Sequence, residues 1–333
     1  MDLDISEVAR RLALSSDTVA WLSRIDPPAS APGPVLPDHA EAERLLVRLD
    51  VDEADRVETL SARPDPGDHP ELWWVLNRAY HEMLATMGAC VSIDGWSGYP
   101  GLPAETGPVG MHLPVWTYLA LLPATRRYHA ERGIPDDLSW YTLADPLGKA
   151  MRAHRSVTGT GGLALFGFGW SLTLRFRGVD YELGRLGFNR GAMSLGNGSC
   201  GYALSTHIPG GRPLDAAECD ASFVRAREFF PRHFPEEPVA FFGCESWLMD
   251  PQLAEYLPEN SRLVQFQRRF QLLPLTPEEE SQTRTDGTMA EYVFGRHHDN
   301  LDDYPQDTTL RRAYVTHLRS GRHWHSRAGW FPF

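Results

Sequence analysis

Cysteine is scarce and scattered. Cys90, Cys200, Cys219 and Cys244 are the only four in 333 residues, and no two stand in a C-x-x-C spacing. That disfavours both a zinc site and a disulfide framework, so reduced thiols and no bound metal are expected. No apolar run reaches the roughly 20 residues a bilayer span requires. The opening MDLDISEVARRL is charged and amphipathic and lacks the apolar centre of a secretory signal, so a cytoplasmic protein without a membrane anchor is expected. Positive charge is in deficit, with 32 Lys and Arg against 44 Asp and Glu for a net charge of −12, which disfavours nucleic-acid binding by the surface as a whole. What remains is globular in composition, 42% hydrophobic and 23% charged, and long enough for two cores.

Residues 1–158 carry helical periodicity. Ile5, Val8, Ala9 and Leu12 form one apolar stripe, and a second helix begins near Asp17, so Val8 to Leu22 reads as a helix-turn-helix or as a plain helical hairpin. Pro27 to Pro37 is a linker by composition. A helix capped by Asp38 follows, then one over Pro70 to Met87 that Gly88 stops. Trp73 and Trp74 cannot both face inward along it. Val91 to Pro114 is a Gly/Pro-rich loop, Val115 to Arg132 a helix kinked before Pro123, and Pro135 to about Arg155 a helical region interrupted at Pro146.

From residue 159 the period becomes two. Trp170, Leu172, Leu174 and Phe176 alternate with polar residues and, with Tyr181 to Asn189, predict a β-hairpin. Strands are further predicted over Tyr202 to Ile208, Val239 to Phe242, Val264 to Leu272 and Glu291 to Phe294, with a helix from Asp250-Pro251, an acidic loop over Pro274 to Gly287, a helix capped by Asp307, and a last strand or packed tail over Trp324 to Phe333. The densest stretch is Gly201 to Pro235. A strand there meets Pro209-Gly210-Gly211, and a helix follows with Asp215 as its cap, Glu218 in capping-box position, and Cys219, Phe223, Ala226 and Phe230 on its apolar face until Pro231. A strand, a glycine turn and a helix N-terminus present backbone N–H groups and a positive dipole end, which suits phosphate.

The phrases ELGRLGFNR (182–190), THIPGGRPLDAAECDASFVRAREFFPRHFPEEP (206–238), CESWLMDPQLAEYLPENS (244–261) and FQRRFQL (266–272) resemble a bacterial family of acyltransferase-domain proteins. Its members join a helical N-acyltransferase-like N-terminal domain to a GNAT-like C-terminal domain. The resemblance implies an α/β (α+β) fold in which a helical domain over 1–158 precedes a GNAT-like domain over 159–333, with a mixed, mostly antiparallel sheet flanked by helices. It also implies an acyl-CoA-dependent N-acyltransferase acting on an amine of a small molecule or protein. In that superfamily the fourth strand pairs with pantetheine and the following turn holds the pyrophosphate, roles that fall on Leu204, Ser205, Thr206 and Ile208 and on Gly210, Gly211 and Arg212. The superfamily's Q/R-x-x-G-x-G/A turn is not present, and Pro209 and Pro213 remove two amide donors.

Acyl transfer to an amine needs a base, a stabilised oxyanion and an acid for the thiolate. His207, at the strand end, and Glu182 are candidate bases; alternatively His207 is hydrogen-bonded to the next loop and Glu182 paired with Arg185 or with an arginine of a neighbouring strand. Ser246, Cys244 and Tyr256 follow the fifth strand, where the superfamily often keeps the group that protonates the leaving thiolate. Cys244 could instead be a nucleophile or inert core. Asn189 and Arg190 line an acceptor pocket or cap strands. His297, His298, His323 and His325 lack the spacing of a metal site and read as solvated loop histidines. Two functions of other classes stay open at this point: a noncatalytic acyl-CoA or metabolite sensor, and a DNA-binding regulator through residues 8–22.

Overall fold

The computed structural model describes residues 3–27, 32–90, 101–163, 169–194 and 200–333. Two units divide the chain, Met1–Tyr181 and Glu182–Phe333.

The first unit is helical among its described residues. Helices α1 (Ile5–Arg11) and α2 (Ser16–Ser23) form a short pair in which the Ser15 side chain caps α2, and Val8, Trp21 and Leu22 are buried. Then come α3 (His39–Arg48), capped by Asp38, α4 (Glu53–Ser61) and α5 (Pro70–Ala85). Trp73 and Trp74 both lie half-buried against this unit's core, Trp74 beneath the guanidinium of Arg78. Residues 28–31 of the expected linker and 91–100 of the expected loop lie outside the described residues. That loop was expected to run to Pro114, but helix α6 (Gly107–Glu131) already begins at Gly107, with Pro108 in its first turn, where a missing N–H costs nothing. Leu113, Val115, Trp116, Tyr118, Leu119 and Leu121 are all buried, the mark of a helix enclosed on every side. Helix α7 (Asp136–Thr158) runs through Pro146 rather than breaking there.

The expected first strand of the hairpin is a helix, α8 (Gly169–Phe176). Leu172, Leu174 and Phe176 are buried, but so are Thr173, Arg175 and Arg177. Thr173 Oγ1 meets the Tyr118 hydroxyl at 3.2 Å, Arg175 pairs with Asp180 at 3.1 Å, and Arg177 donates to the Thr86 carbonyl at 2.9 Å. The alternation therefore never marked a solvent face. Polar side chains with buried partners imitated the outer side of a strand.

A six-stranded sheet of order β1-β2-β3-β4-β6-β5 follows, its first strand spanning the boundary between the units and the rest lying in the second: β1 (Asp180–Glu182), β2 (Gly187–Ser194), β3 (Cys200–His207), β4 (Val239–Ser246), β5 (Gln271–Leu272) and β6 (Arg327–Pro332). Pairing is antiparallel between β2 and β3, β4 and β6, and β5 and β6, and parallel between β3 and β4. The long crossover that a parallel pair requires is α9 (Ala216–His233). Phe223 of α9 stacks edge-on against Phe188 (5.6 Å), Phe242 (4.9 Å) and Phe331 (5.0 Å), so one face of the sheet is sealed by aromatic rings.

Four further expectations differ from the structure. Val264 to Leu272 is a short helix, α10 (Arg262–Gln267), followed by the two-residue β5. The Gln267 amide donates to the carbonyls of Leu248 and Asp250, and that fixes the turn. The acidic loop contains α11 (Pro277–Gln282), opened by a Thr276/Glu279 capping box. Glu291 to Phe294 closes α12 (Asp286–Phe294), whose buried Met289 and Ala290 and half-buried Val293 and Phe294 have helical spacing. In α13 (Thr309–Arg319) the cap is Thr308, while Asp307 pairs with Arg311.

Candidate active site

The β3–β4 pairing ends at Ser205↔Gly243, although β3 continues to His207 and β4 to Ser246. Beyond that point each strand keeps only its outer partner, β2 for Thr206 and His207, β6 for Cys244 to Ser246. Past that point the facing main-chain groups of the two parallel strands do not bond each other, which marks the mouth of a candidate cleft. Thr206 stands at its start. It is 3% exposed, and among the described residues its Oγ1 has no hydrogen-bond partner, an arrangement normally avoided in a protein interior.

Past Ile208 the chain turns through Pro209 to Pro213. Gly210, Gly211 and Arg212 are exposed, and Gly211 takes φ +82°, which favours glycine. The Asp215 side chain accepts from the amides of Ala217 (3.0 Å) and Glu218 (3.2 Å), so the cap forms as expected. Glu218 does not complete a capping box but holds the Arg212 guanidinium with both oxygens at 3.0 Å. Below the turn lies Arg185, 4% exposed. Its Nη1 donates to the Pro209 carbonyl (3.0 Å), Nη2 to Arg212 (2.9 Å) and Nε to Pro213 (2.8 Å). Burial pushes this guanidinium's pKa down from its ordinary value. A buried arginine committed to three carbonyls has no counterpart in periodicity or motif, and the expected alternative for it was a pair with Glu182.

His207 is half-buried at the end of β3. Its Nε2 donates to Oδ1 of the buried Asn189, whose amide group lies 3.4 Å from the Arg190 carbonyl. Asn189 faces Ser205 in the register and is thus diagonal to His207 on the same side of the sheet. With the proton on Nε2, the ring's basic nitrogen is Nδ1. Glu182 is buried in β1. The Leu183 N–H to Leu186 carbonyl bond closes the β1–β2 hairpin, and continuing that register sets Glu182 across from Gly187, which itself faces His207. Glu182 and His207 therefore share a face about 10 Å apart, with only a glycine between them.

The remaining candidates lie elsewhere. Cys244 and Ser246 share β4's parity with Phe242, whose ring packs on the α9 side. Cys244 is 3% exposed, and burial, then Glu245, pushes its thiol up to about 12. A thiol so held is protonated at neutral pH, which disfavours a nucleophile. The Ser246 hydroxyl accepts from the Leu248 amide at 3.1 Å. Tyr256 follows a 3-10 turn over Pro251–Glu255, not an α-helix, and its hydroxyl lies 3.0 Å from His317 Nδ1. His317 Nε2 meets the His323 carbonyl at 3.1 Å, so Nε2 carries the proton and Nδ1 accepts from Tyr256. Among the loop histidines, His323 Nδ1 bonds Asp286 (2.9 Å) and His325 Nδ1 the Glu280 carbonyl (2.9 Å).

Residues 40–178 match the N-acyltransferase N-terminal domain and residues 181–331 the GNAT-like C-terminal domain. No curated protein matches the chain. Among solved structures, an acyltransferase mutant in complex with octanoyl-CoA is 39% identical at TM-score 0.88, over 99% of this chain and 100% of that one. An acyltransferase in complex with decanoyl-CoA and teicoplanin is 39% identical at TM-score 0.87, over 99% of each. One in complex with decanoyl-CoA is 40% identical at TM-score 0.84, again over 99% of each. With that identity over its whole length and a matching pair of domains, the chain belongs to the family of acyltransferases that join an N-acyltransferase N-terminal domain to a GNAT-like C-terminal domain.

Proposed function

We propose that this acyltransferase moves a medium-chain acyl group from CoA to an amine of a teicoplanin-like acceptor, with acyl-CoA lying in the cleft where β3 and β4 part. The observation that carries the reading is the register that stops at Ser205↔Gly243 while both strands run on. A pantetheine arm carries two amides and needs main-chain partners of that kind, and the Thr206 hydroxyl offers one more. The relatives bound to octanoyl-CoA and decanoyl-CoA support acyl-CoA as donor, and the complex that includes teicoplanin supports the acceptor class.

In the reaction the amine nitrogen attacks the thioester carbonyl carbon, the C–S bond breaks, and an amide and CoA thiol form. His207, held by Asn189 with Nδ1 basic, takes the proton the amine gives up. The buried Glu182 carboxylate, on the same face, favours the imidazolium that results. The leaving thiolate takes its proton from water; Ser246 lies on the α9 side of the sheet with the buried Cys244, and Tyr256 is tied to His317, so all three are weaker donors.

The test is titration calorimetry with octanoyl-CoA, followed by thiol release in the presence of teicoplanin. Saturable binding and turnover are expected, with His207→Ala lowering kcat by about 10²–10⁴. Absence of binding at millimolar octanoyl-CoA would sink the reading. Binding without turnover on any amine offered would make the protein a sensor.

A further inference from the structure

Two parts of the turn that sequence alone would assign to phosphate are already engaged. The amides of Ala217 and Glu218 in the first turn of α9 belong to Asp215, and the Arg212 guanidinium belongs to Glu218. What remains is the turn's own backbone, and its orientation is set from below by Arg185. In a trans peptide the carbonyl and the following N–H point opposite ways, and no described peptide bond is cis. Because Arg185 draws in the Pro209 and Pro213 carbonyls, the N–H groups of Gly210 and Leu214 point away from it; neither has a protein acceptor among the described residues. The third carbonyl, of Arg212, precedes Pro213 and has no N–H to orient.

Arg185 is itself anchored. Its backbone N–H and that of Leu186 donate to Ser222 Oγ of α9 (2.9 and 3.3 Å), which donates in turn to the Glu218 carbonyl at 3.0 Å. Gly184 beside it sits at φ +107°, where an added Cβ would lie 2.2 Å from Arg225 Nη1, so the hairpin tip fits α9 closely. The hairpin tip, the helix and the turn are thus locked together through one guanidinium. The Thr206 hydroxyl, 3% exposed and three residues before Pro209, has no hydrogen-bond partner among the described residues at the same end of β3.

We propose that Arg185 is a positioning residue for the donor: it holds three carbonyls of the Pro209–Pro213 turn inward, so that the outward N–H groups and its own positive charge receive the diphosphate of CoA. This rests on the cleft reading given under Proposed function. It assigns no contact between Arg185 and the reacting atoms. A lysine keeps the charge but lacks the planar fork that reaches three carbonyls at once.

The test compares octanoyl-CoA with octanoyl-pantetheine, which has the thioester and both amides but no diphosphate, in the unaltered enzyme and in Arg185→Lys and Arg185→Gln. Both variants are expected to raise KM for octanoyl-CoA about tenfold or more while changing that for octanoyl-pantetheine less than about twofold. Equal losses on both donors would make Arg185 a fold-stabilising residue and overturn the proposal. If the unaltered enzyme prefers the CoA ester and the variants keep that preference, this proposal alone falls. If the unaltered enzyme uses both donors equally, the turn does not read the diphosphate, and the phosphate part of the cleft reading falls with it. Should neither variant fold, amide hydrogen exchange on the unaltered protein decides. Slowing at Gly210 and Leu214 by CoA but not by pantetheine is required, and unchanged exchange there overturns the proposal.

Discussion

At the scale of single residues, chemistry at the sheet's end depends on which side chain is aimed by which neighbour. His207 is aimed by Asn189, because the diagonal of an antiparallel pair brings their side chains together and only a carbonyl oxygen there stabilises the Nε2–H tautomer. Asn189→Leu should therefore lower kcat by about tenfold or more, with KM for octanoyl-CoA little changed. Steady-state kinetics giving a raised KM at unchanged kcat would remove Asn189 from the proton path. Cys244 shows the opposite case. With its thiol pushed up to about 12 by burial, it stays protonated near neutral pH. Peptide mapping after brief iodoacetamide treatment of the folded protein should find Cys90, which is half-buried, alkylated well ahead of Cys244. Rapid native alkylation of Cys244 would reopen its case as a nucleophile.

At the scale of elements, the legible ones had local chemistry at their ends. Helix α9 was readable because Asp215 caps it and its apolar stripe has helical spacing; Asp215→Ala should cost about 1 kcal/mol of stability by urea denaturation. A loss below a few tenths would mean water replaces the cap. Strand β3 was readable because Pro209-Gly210-Gly211 ends it. The misread elements, α8, α10 and the end of α12, share one cause. Each is short, and a stretch of six to nine residues carries too few turns to separate a period of 3.6 from a period of two; in α8 the burial of Thr173 and Arg175 beside Leu172 and Leu174 blurs the pattern further. Pro231 was expected to end or kink α9, yet the helix runs to His233.

At the scale of the molecule, burial of histidines sets how stability varies with pH. Burial holds His81, His112, His154 and His317 below the usual imidazole range. Each takes up a proton near pH 6.5 when unfolded but only at lower pH when folded. The stability they confer is therefore fully present above about pH 6.5 and declines as pH falls below it, by at most about 1.4 kcal/mol per pH unit for each. The urea midpoint should drop between pH 7.5 and 5.5; a flat or rising midpoint would contradict the buried neutral state. Among the described residues no helix is long and apolar enough to cross a membrane. The amino-acid sequence by itself determined the succession of elements around Gly201 to Pro235, the change from a helical half to a half with a sheet, and the residue types available for acyl transfer, because caps, turns and apolar periodicity act over a few neighbouring residues. Only the tertiary structure decided where β3 and β4 part, that Asn189 holds His207, and that Arg185 underlies the turn. Those contacts join positions 18 to 38 residues apart through register and burial, which no local pattern encodes.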